Sequence, residues 1–598
     1  MLGNLMRVVE TMKISLFKNM SAAFVLSASL SASAEEWTAK FVPDGDRDRG
    51  PEVRAALKSG AKLHFAPGKY RFSVATMPRR ADHISNHDQP PTHPVAVPIV
   101  SMRDVDICGD GAVFELDGSA IAVALVDSEK CSVKGITVDC LRGHTVESKI
   151  LSFTNGTTRV GIDRKAFPYK IIGFINNKTK TRNRSGYLRF HDGGAGFFNV
   201  TSALAFDGKT GELIEGTADI GLWDNRLEVV EESDGVLVLP KDFSRIPRQV
   251  QGAKPLKEGD VLAFRNWSRP NPAVFLYRAK DILFSDVTVH SSCGMGLLAQ
   301  RSENISFLGG GMYPKKGRYA STSADATHFS NCRGRIVVAN ARFEGMADDA
   351  INVHSTCLGI EERLDSRRFR CRYRHPQAVG FEVLAPGEML RFIKGPTLEN
   401  GPEIRVSAFE MLRVNEAVVT LEKDAPEIYG KGDAVESADY QPSVVFSNNV
   451  VRHNRARGAL FNTPKRIECV GNLFERVSGS AILIAGDAQG WYESGACKEV
   501  VISKNVFRDN LTSAYQFTDA IISIWPEVRD LPNQKARYHS GIVIEDNVFE
   551  TFEVPLLYAK SVDGLVWRNN KVERNSNYAK RNGRPFILNY CENVKIEE

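Results

Sequence analysis

The 598-residue chain has no apolar run after its N-terminus that approaches the roughly 20 residues of a membrane-spanning helix, so no membrane partner is expected. It has no Lys/Arg block either. Its 77 basic and 72 acidic residues are interspersed, and the formal net charge is only +5, so nucleic acid is not an expected partner. Ten cysteines form no Cys-x-x-Cys pair and no Cys/His group with zinc spacing, which excludes a disulfide scaffold and a zinc ribbon. Cys131/Cys140 and Cys357/Cys371 are near enough in sequence to bridge in an oxidising compartment, the alternative being buried free thiols. Apolar runs at helical period are also missing from the C-terminal third, where helices are therefore not expected.

At the N-terminus, Lys13 and Lys18 precede a short apolar and small-residue run that ends in Ala32-Ser33-Ala34. This pattern predicts a signal peptide over 1–34, cleaved near Ala34, with Met12 a plausible start. The mature chain is then expected outside the cytoplasm, periplasmic or extracellular.

The segments "FSNNVVRHN", "CVGNLFERV", "ISKNVFRDN", "IEDNVFETF" and "WRNNKVERN" share an Asn, any residue, then an apolar residue. Their asparagines are Asn449, Asn472, Asn505, Asn547 and Asn570, separated by 23, 33, 42 and 23 residues. A base period of about 23, built of short β-branched segments between Asn and Gly, fits one coil of a right-handed parallel β-helix. Equivalent asparagines on stacked coils can form a hydrogen-bonded ladder. The alternative is a β-sandwich. The fold class expected is all-β, with a capping helix over Pro51 to Lys58 closing the open end.

Two strand-rich stretches interrupt the period, and they close alike, in "KEGDVLAF" and "GKGDAVES". We read them as two related small barrel-like domains, at 146–275 and 358–440. Helix coils then occupy 35–145, 276–357 and 441–598. Insertions leaving one face tend to build a binding site there, and ones this long could mediate a homodimer.

Aligning the coils sets Asp348 and Asp349 where other coils carry Gly479-Ser480, Gly294-Met295 or Ala456-Arg457. Asp325 lies 24 residues earlier, close to one period, so its carboxyl should sit about 5 Å from the pair. Nothing basic stands beside these acids in sequence. Clustered anions repel, and one member keeps its proton to higher pH, which suits the acid and base roles of glycoside hydrolysis. A calcium site, with Asn352 as a further oxygen ligand, and a solvated turn are the other readings. His328 and Asn352 replace the leucines of other coils, Leu298, Leu460 and Leu483, and with His354 are candidates for sugar hydroxyls or for an internal hydrogen-bonded pair. In "GDAQGWYESG", Trp491 could pack on a pyranose while Asp487 and Glu493 take its hydroxyls. Arg265 is a weaker binding candidate.

An Asp one coil before an Asp-Asp pair resembles the active-site layout of family 28 polygalacturonases, although that family's Gly-His-Gly and Arg-Ile-Lys signatures are missing. "MADDAINVH", "GGGMYPKKGRYASTSADATHF", "AILIAGDAQGWYESG" and "GDVLAFRN" together resemble glycoside hydrolase family 110, the exported bacterial α-1,3-galactosidases, from about Val42 to the C-terminus. The resemblance implies an inverting exo-enzyme acting on an oligosaccharide or glycoconjugate, as in blood group B or linear α-galactosyl glycans, with no metal or other cofactor. It also implies Asp325, Asp348 and Asp349 as the catalytic acids. By analogy with the polygalacturonase layout, Asp348 is expected to be the general acid and Asp325 with Asp349 to deprotonate water. Competing readings are a polysaccharide lyase on the same scaffold and a non-catalytic glycan-binding solenoid.

Overall fold

A computed structural model describes residues 36–597, apart from 176–181, 192–196, 223–226, 246–249, 251, 515–517 and 582. The expected signal peptide lies outside the described residues. Residues 38–598 form one compact unit. It is an all-β parallel helix whose coils feed two long sheets, one of 22 strands and one of 13.

Stacking follows the sequence period. Val444, Ile467, Val500, Ile542, Leu565 and Val594 lie one above another as Cα partners on successive parallel strands. Inside, Phe446, Phe474, Phe507 and Phe549 stack with centroids 6.2, 5.4 and 4.7 Å apart, a continuous apolar column that no single coil could bury alone. At the adjoining corner the asparagines form the expected ladder. Oδ1 of Asn472, Asn505, Asn547 and Asn570 each accepts both the main-chain and the side-chain N–H of the asparagine one coil before, at 2.9–3.1 Å. The residue before each ladder asparagine turns through positive φ, as at Asn448 (55°) and Gly471 (71°), which bends the strand into the corner.

The N-terminal cap is a helix, Gly50–Ala56, slightly shorter than expected. Pro51 occupies its first turn, Val53 is buried, and Arg54 Nη1 donates to the Ala96 carbonyl at 3.2 Å, holding the helix over the end of the coils. All ten cysteines are free. Cys131 immediately precedes the strand Ser132–Cys140 and Cys140 ends it; the strand bends at Gly135 (φ 63°), and its two halves still hold the ends far beyond the roughly 6 Å that a disulfide spans. Cys357 and Cys371 belong to different apolar cores. Neither pair expected to bridge can do so.

Of the two interrupting stretches, the second is a closed six-stranded barrel from Leu358–Arg363 to Ala434–Ser437, filled by Phe369, Phe392 and Val419. The first, from Val146–Thr154 to Val261–Arg265, is a ten-stranded antiparallel sheet on one core of Phe190, Leu237 and Phe264. Its hydrogen bonds do not close into a barrel among the described residues. Both end in the same turn: Asp260 Oδ2 accepts the Lys257 N–H and Asp433 Oδ2 the Gly430 N–H, three residues back, at 2.8 and 3.1 Å.

Candidate active site

Three consecutive strands of the 13-stranded sheet, Thr327–Ser330, Ile351–Thr356 and Ala459–Phe461, carry the site on the turns that lead into them. The register is the one read from the sequence: Leu298, His328, Asn352, Leu460 and Leu483 are Cα partners in series. The Asp349 carbonyl accepts the Ala326 N–H at 2.7 Å and the Gly458 carbonyl accepts the Ala350 N–H at 2.9 Å, so Asp325, Asp349 and Arg457 stack. One carboxylate oxygen from each of Asp325, Asp348 and Asp349 lies within 4.8 Å of the others, and all three residues are buried.

The cations absent from the local sequence arrive from elsewhere in the chain. Arg269 Nη2 meets Asp348 Oδ2 at 2.8 Å, with Arg455 Nη1 and Arg457 Nη2 at 3.8 and 4.0 Å from Asp348 Oδ1. Arg457 Nη2 also meets Asp349 Oδ2 at 2.9 Å, and its main-chain N–H donates to Asp349 Oδ1 at 3.0 Å. These contacts split the acids. Burial pushes Asp348 up, but Arg269, Arg457, Arg455 and Arg265 together hold it below the ordinary carboxylate range. Asp325 has no such cage: burial first, then the Asp348 charge, push it up to about 8. Asp349 is also pushed up, by burial, with Arg457 opposing. With arginines on two of the three carboxylates, the cluster is poorly suited to calcium, which wants six to eight free oxygens.

Asp325, Asp348, His328, Asn352, Trp491 and Glu493 all line one cleft of about 860 Å³. Its walls come from every part of the chain: Asn86, Asp88 and Gln89 from the N-terminal loop, Asp219 and Trp267 from the first insertion, and His375 and Gln377 from the second. Trp491 stacks on His375 with centroids 3.7 Å apart. Trp267, 42% exposed, has the Arg265 and Arg455 guanidinium groups over its ring at 4.8 and 5.2 Å. The cleft therefore carries two aromatic faces beside its carboxyls, as sugar sites do. Asn352 Oδ1 has no hydrogen-bond partner among the described residues, while its Nδ2 donates to Glu493 Oε2 at 3.3 Å. Asn86 Nδ2 holds the other Glu493 oxygen at 2.9 Å.

Three expected binding residues stand elsewhere. Asp487 spends its carboxylate on the loop itself, accepting the N–H groups of Gln489, Gly490, Trp491 and Tyr492 at 2.5–3.0 Å, so it shapes the turn that presents Trp491. Arg265 is buried behind the cleft, its Nη1 on the Ala347 carbonyl at 3.4 Å, and burial lowers it to about 10. His354 is buried and outside the lining, with its ring nitrogens on Ser355 and His328. Arg269, Arg455, Trp267 and His375 were not anticipated. Arg455 and Arg457 had a signal, since "NRARG" puts them beside and at the aspartate positions one coil on.

The chain matches the family description GLAA-B beta-barrel domain II over residues 368–435, within the closed barrel. It is 46% identical over 567 residues to alpha-1,3-galactosidase B of Akkermansia muciniphila, covering 93% of this chain and 68% of that protein. It is 36% identical over 597 residues to alpha-1,3-galactosidase B of Phocaeicola vulgatus, covering 96% of each. Among solved structures it is similar to a family 28 exopolygalacturonase of Yersinia enterocolitica, at 10% identity and a TM-score of 0.37, covering 92% of this chain and 76% of that one.

Proposed function

Because the chain belongs to the bacterial alpha-1,3-galactosidase B family, we propose that its cleft hydrolyses terminal α-1,3-linked galactosides one residue at a time, with inversion. Blood-group-B-type and linear α-galactosyl glycans are the substrates in view. The observation that carries this reading is the pair of unlike carboxyls in one cleft, Asp325 at about 8 and Asp348 held ionised by arginines. Such a pair supplies a proton donor and a proton acceptor at the same pH.

On this reading Asp325 protonates the leaving oxygen and Asp348 draws a proton from the attacking water. That reverses the roles expected by analogy with polygalacturonases. The support is the arginine cage, which disfavours a proton on Asp348. Asp349 does not line the cleft; it anchors Arg457 and so shapes the field at Asp348. The nearest carboxylate oxygens lie within 4.8 Å, closer than the roughly 6.5–9.5 Å usual for inverting pairs and near the roughly 5–5.5 Å of retaining ones, so inversion rests on the family resemblance and on the anomer test below. The N-terminal pattern supports export with cleavage near Ala34.

Proton NMR on defined α-1,3, α-1,4 and α-1,6 galactosides tests linkage and stereochemistry together. Galactose should appear first as the β anomer and from the α-1,3 substrate alone. First-formed α-galactose would overturn inversion; equal release from all three would overturn the linkage.

A further inference from the structure

A chain of hydrogen bonds runs from Asp325 away from the arginines. Asp325 Oδ2 lies 2.6 Å from His328 Nδ1, His328 Nε2 lies 2.8 Å from His354 Nε2, and His354 Nδ1 lies 3.0 Å from the Ser355 carbonyl. Both histidines are buried, and His328 stands where the preceding coil carries Leu298 and the second coil on carries Leu460.

The far end fixes the hydrogens. A carbonyl only accepts, so His354 Nδ1 carries a hydrogen. Two nitrogen lone pairs at 2.8 Å would repel, so one hydrogen lies between the Nε2 atoms, and by the same logic one lies between His328 Nδ1 and Asp325 Oδ2. Full burial and the neighbouring His354 disfavour a charge on His328. Two arrangements remain. In one, Asp325 is a carboxylic acid, donating to His328, and both imidazoles are neutral. In the other, both link hydrogens have moved one place on: Asp325 Oδ2 accepts from His328, and His354 is an imidazolium 3.5 Å from Glu493 Oε1.

We propose that Asp325, His328 and His354 form a proton relay ending beside Glu493, through which Asp325 gives up a proton without becoming an anion. The proposal rests on Asp325 being the acid. In the loaded state Asp325 carries its proton on Oδ1, Oδ2 accepts from His328, and His354 is charged against Glu493. As the Oδ1 proton passes to the glycosidic oxygen and the carbon–oxygen bond breaks, the His328 Nδ1 hydrogen moves to Oδ2 and the His354 Nε2 hydrogen moves to His328. One proton has left, and the relay ends neutral. The charge that disappears is the cation on His354; no new anion forms beside the ionised Asp348. A solvent proton returning to Oδ1 drives the same shifts backward.

The charged and titratable groups facing the relay are Asp348, Asp349, Glu493, Arg269, Arg457 and His87. His87 stays neutral, lowered to about 3 by burial, and its Nε2 accepts the Met295 N–H at 3.3 Å. Glu493 is the carboxylate closest to His354 Nε2, and Asn86 and Asn352 hold it in place.

His354→Gln keeps hydrogen-bonding atoms but cannot carry a proton, so it tests the relay. On an α-1,3-galactobioside, whose leaving group needs a proton, kcat/KM should fall by about 100-fold or more. On α-galactosyl fluoride, whose leaving group needs none, it should fall by less than about 10-fold. Equal losses on both, or no loss, would overturn the relay. A second measurement avoids turnover. With the 12 histidines labelled in nitrogen-15, His328 in the wild type should exchange its Nε2–H tautomer for Nδ1–H as the pH is lowered and the relay takes up its proton. A His328 that keeps one tautomer throughout overturns the relay. This holds whether or not the chain cleaves α-1,3-galactosides, so the two proposals fail separately.

Discussion

Replacing the proposed acid by its neutral isostere, Asp325→Asn, should abolish activity and stabilise the protein. In the unfolded chain a carboxyl titrates near 3.8; in the fold Asp325 does so at about 8. Below the lower value both forms are protonated and the site costs nothing. As pH rises, the unfolded carboxyl ionises while the buried one cannot, and the fold loses about 1.4 kcal/mol per pH step until the buried group ionises too. At pH 7 the accumulated cost is about 4 kcal/mol, an upper value because Asp348 and Asp349 share the titration. An Asn side chain avoids this cost. Its Nδ2 can donate to His328 Nδ1 and its Oδ1 can accept the Asp349 N–H, as Asp325 Oδ1 does at 3.3 Å. Melting curves of both proteins at matched scan rate between pH 4 and pH 9 provide the assay. The variant's advantage should be near zero at pH 4, grow to several degrees by pH 8 and then level off. A variant that melts lower at pH 8, or an advantage independent of pH, would refute a buried protonated Asp325.

Two further outcomes follow from the cleft and the coils. Trp491→Ala removes the aromatic face stacked on His375, and kcat/KM should fall by about 10- to 100-fold, more through KM than through kcat, as steady-state kinetics would report. Asn505→Ala removes the acceptor for two N–H groups of Asn472 and should cost about 2–3 kcal/mol in denaturant unfolding. It should leave kcat/KM of the folded enzyme unchanged, since that coil lies beyond the carboxyls.

The helix was legible because its period is local. Each coil repeats Asn, a free position and an apolar residue, so Asn449 and Asn472 announce their stacking in sequence. The carboxyl cluster was legible for the same reason: Asp325 and Asp349 differ by one period, and the register follows. Their charge partners were not. Arg269 reaches Asp348 across 79 residues, out of the exit from the first insertion, and Arg457 reaches Asp349 across 108, with the whole second barrel between them. Without these arginines Asp348 looks like the natural acid; with them it looks like the base. The cysteine pairs misled in the opposite way, since residues close in number stand at opposite ends of one strand or in different cores. Asp487 looked free because a loop sequence does not reveal that its own amides will fold back on it.

The asparagine ladder also has a direction. Every side-chain oxygen in it faces the preceding coil, and every Nδ2 from Asn449 to Asn547 hands a hydrogen to the next. The amides thus point head to tail like iron filings, and the row can be read one way only. A coil added at the C-terminal end continues the row if it brings an asparagine of its own, while one spliced in without it cuts the row in two. Lengthening this protein by duplicating a coil is therefore easiest at its far end, away from the carboxyls, where a new rung leaves the chemistry undisturbed.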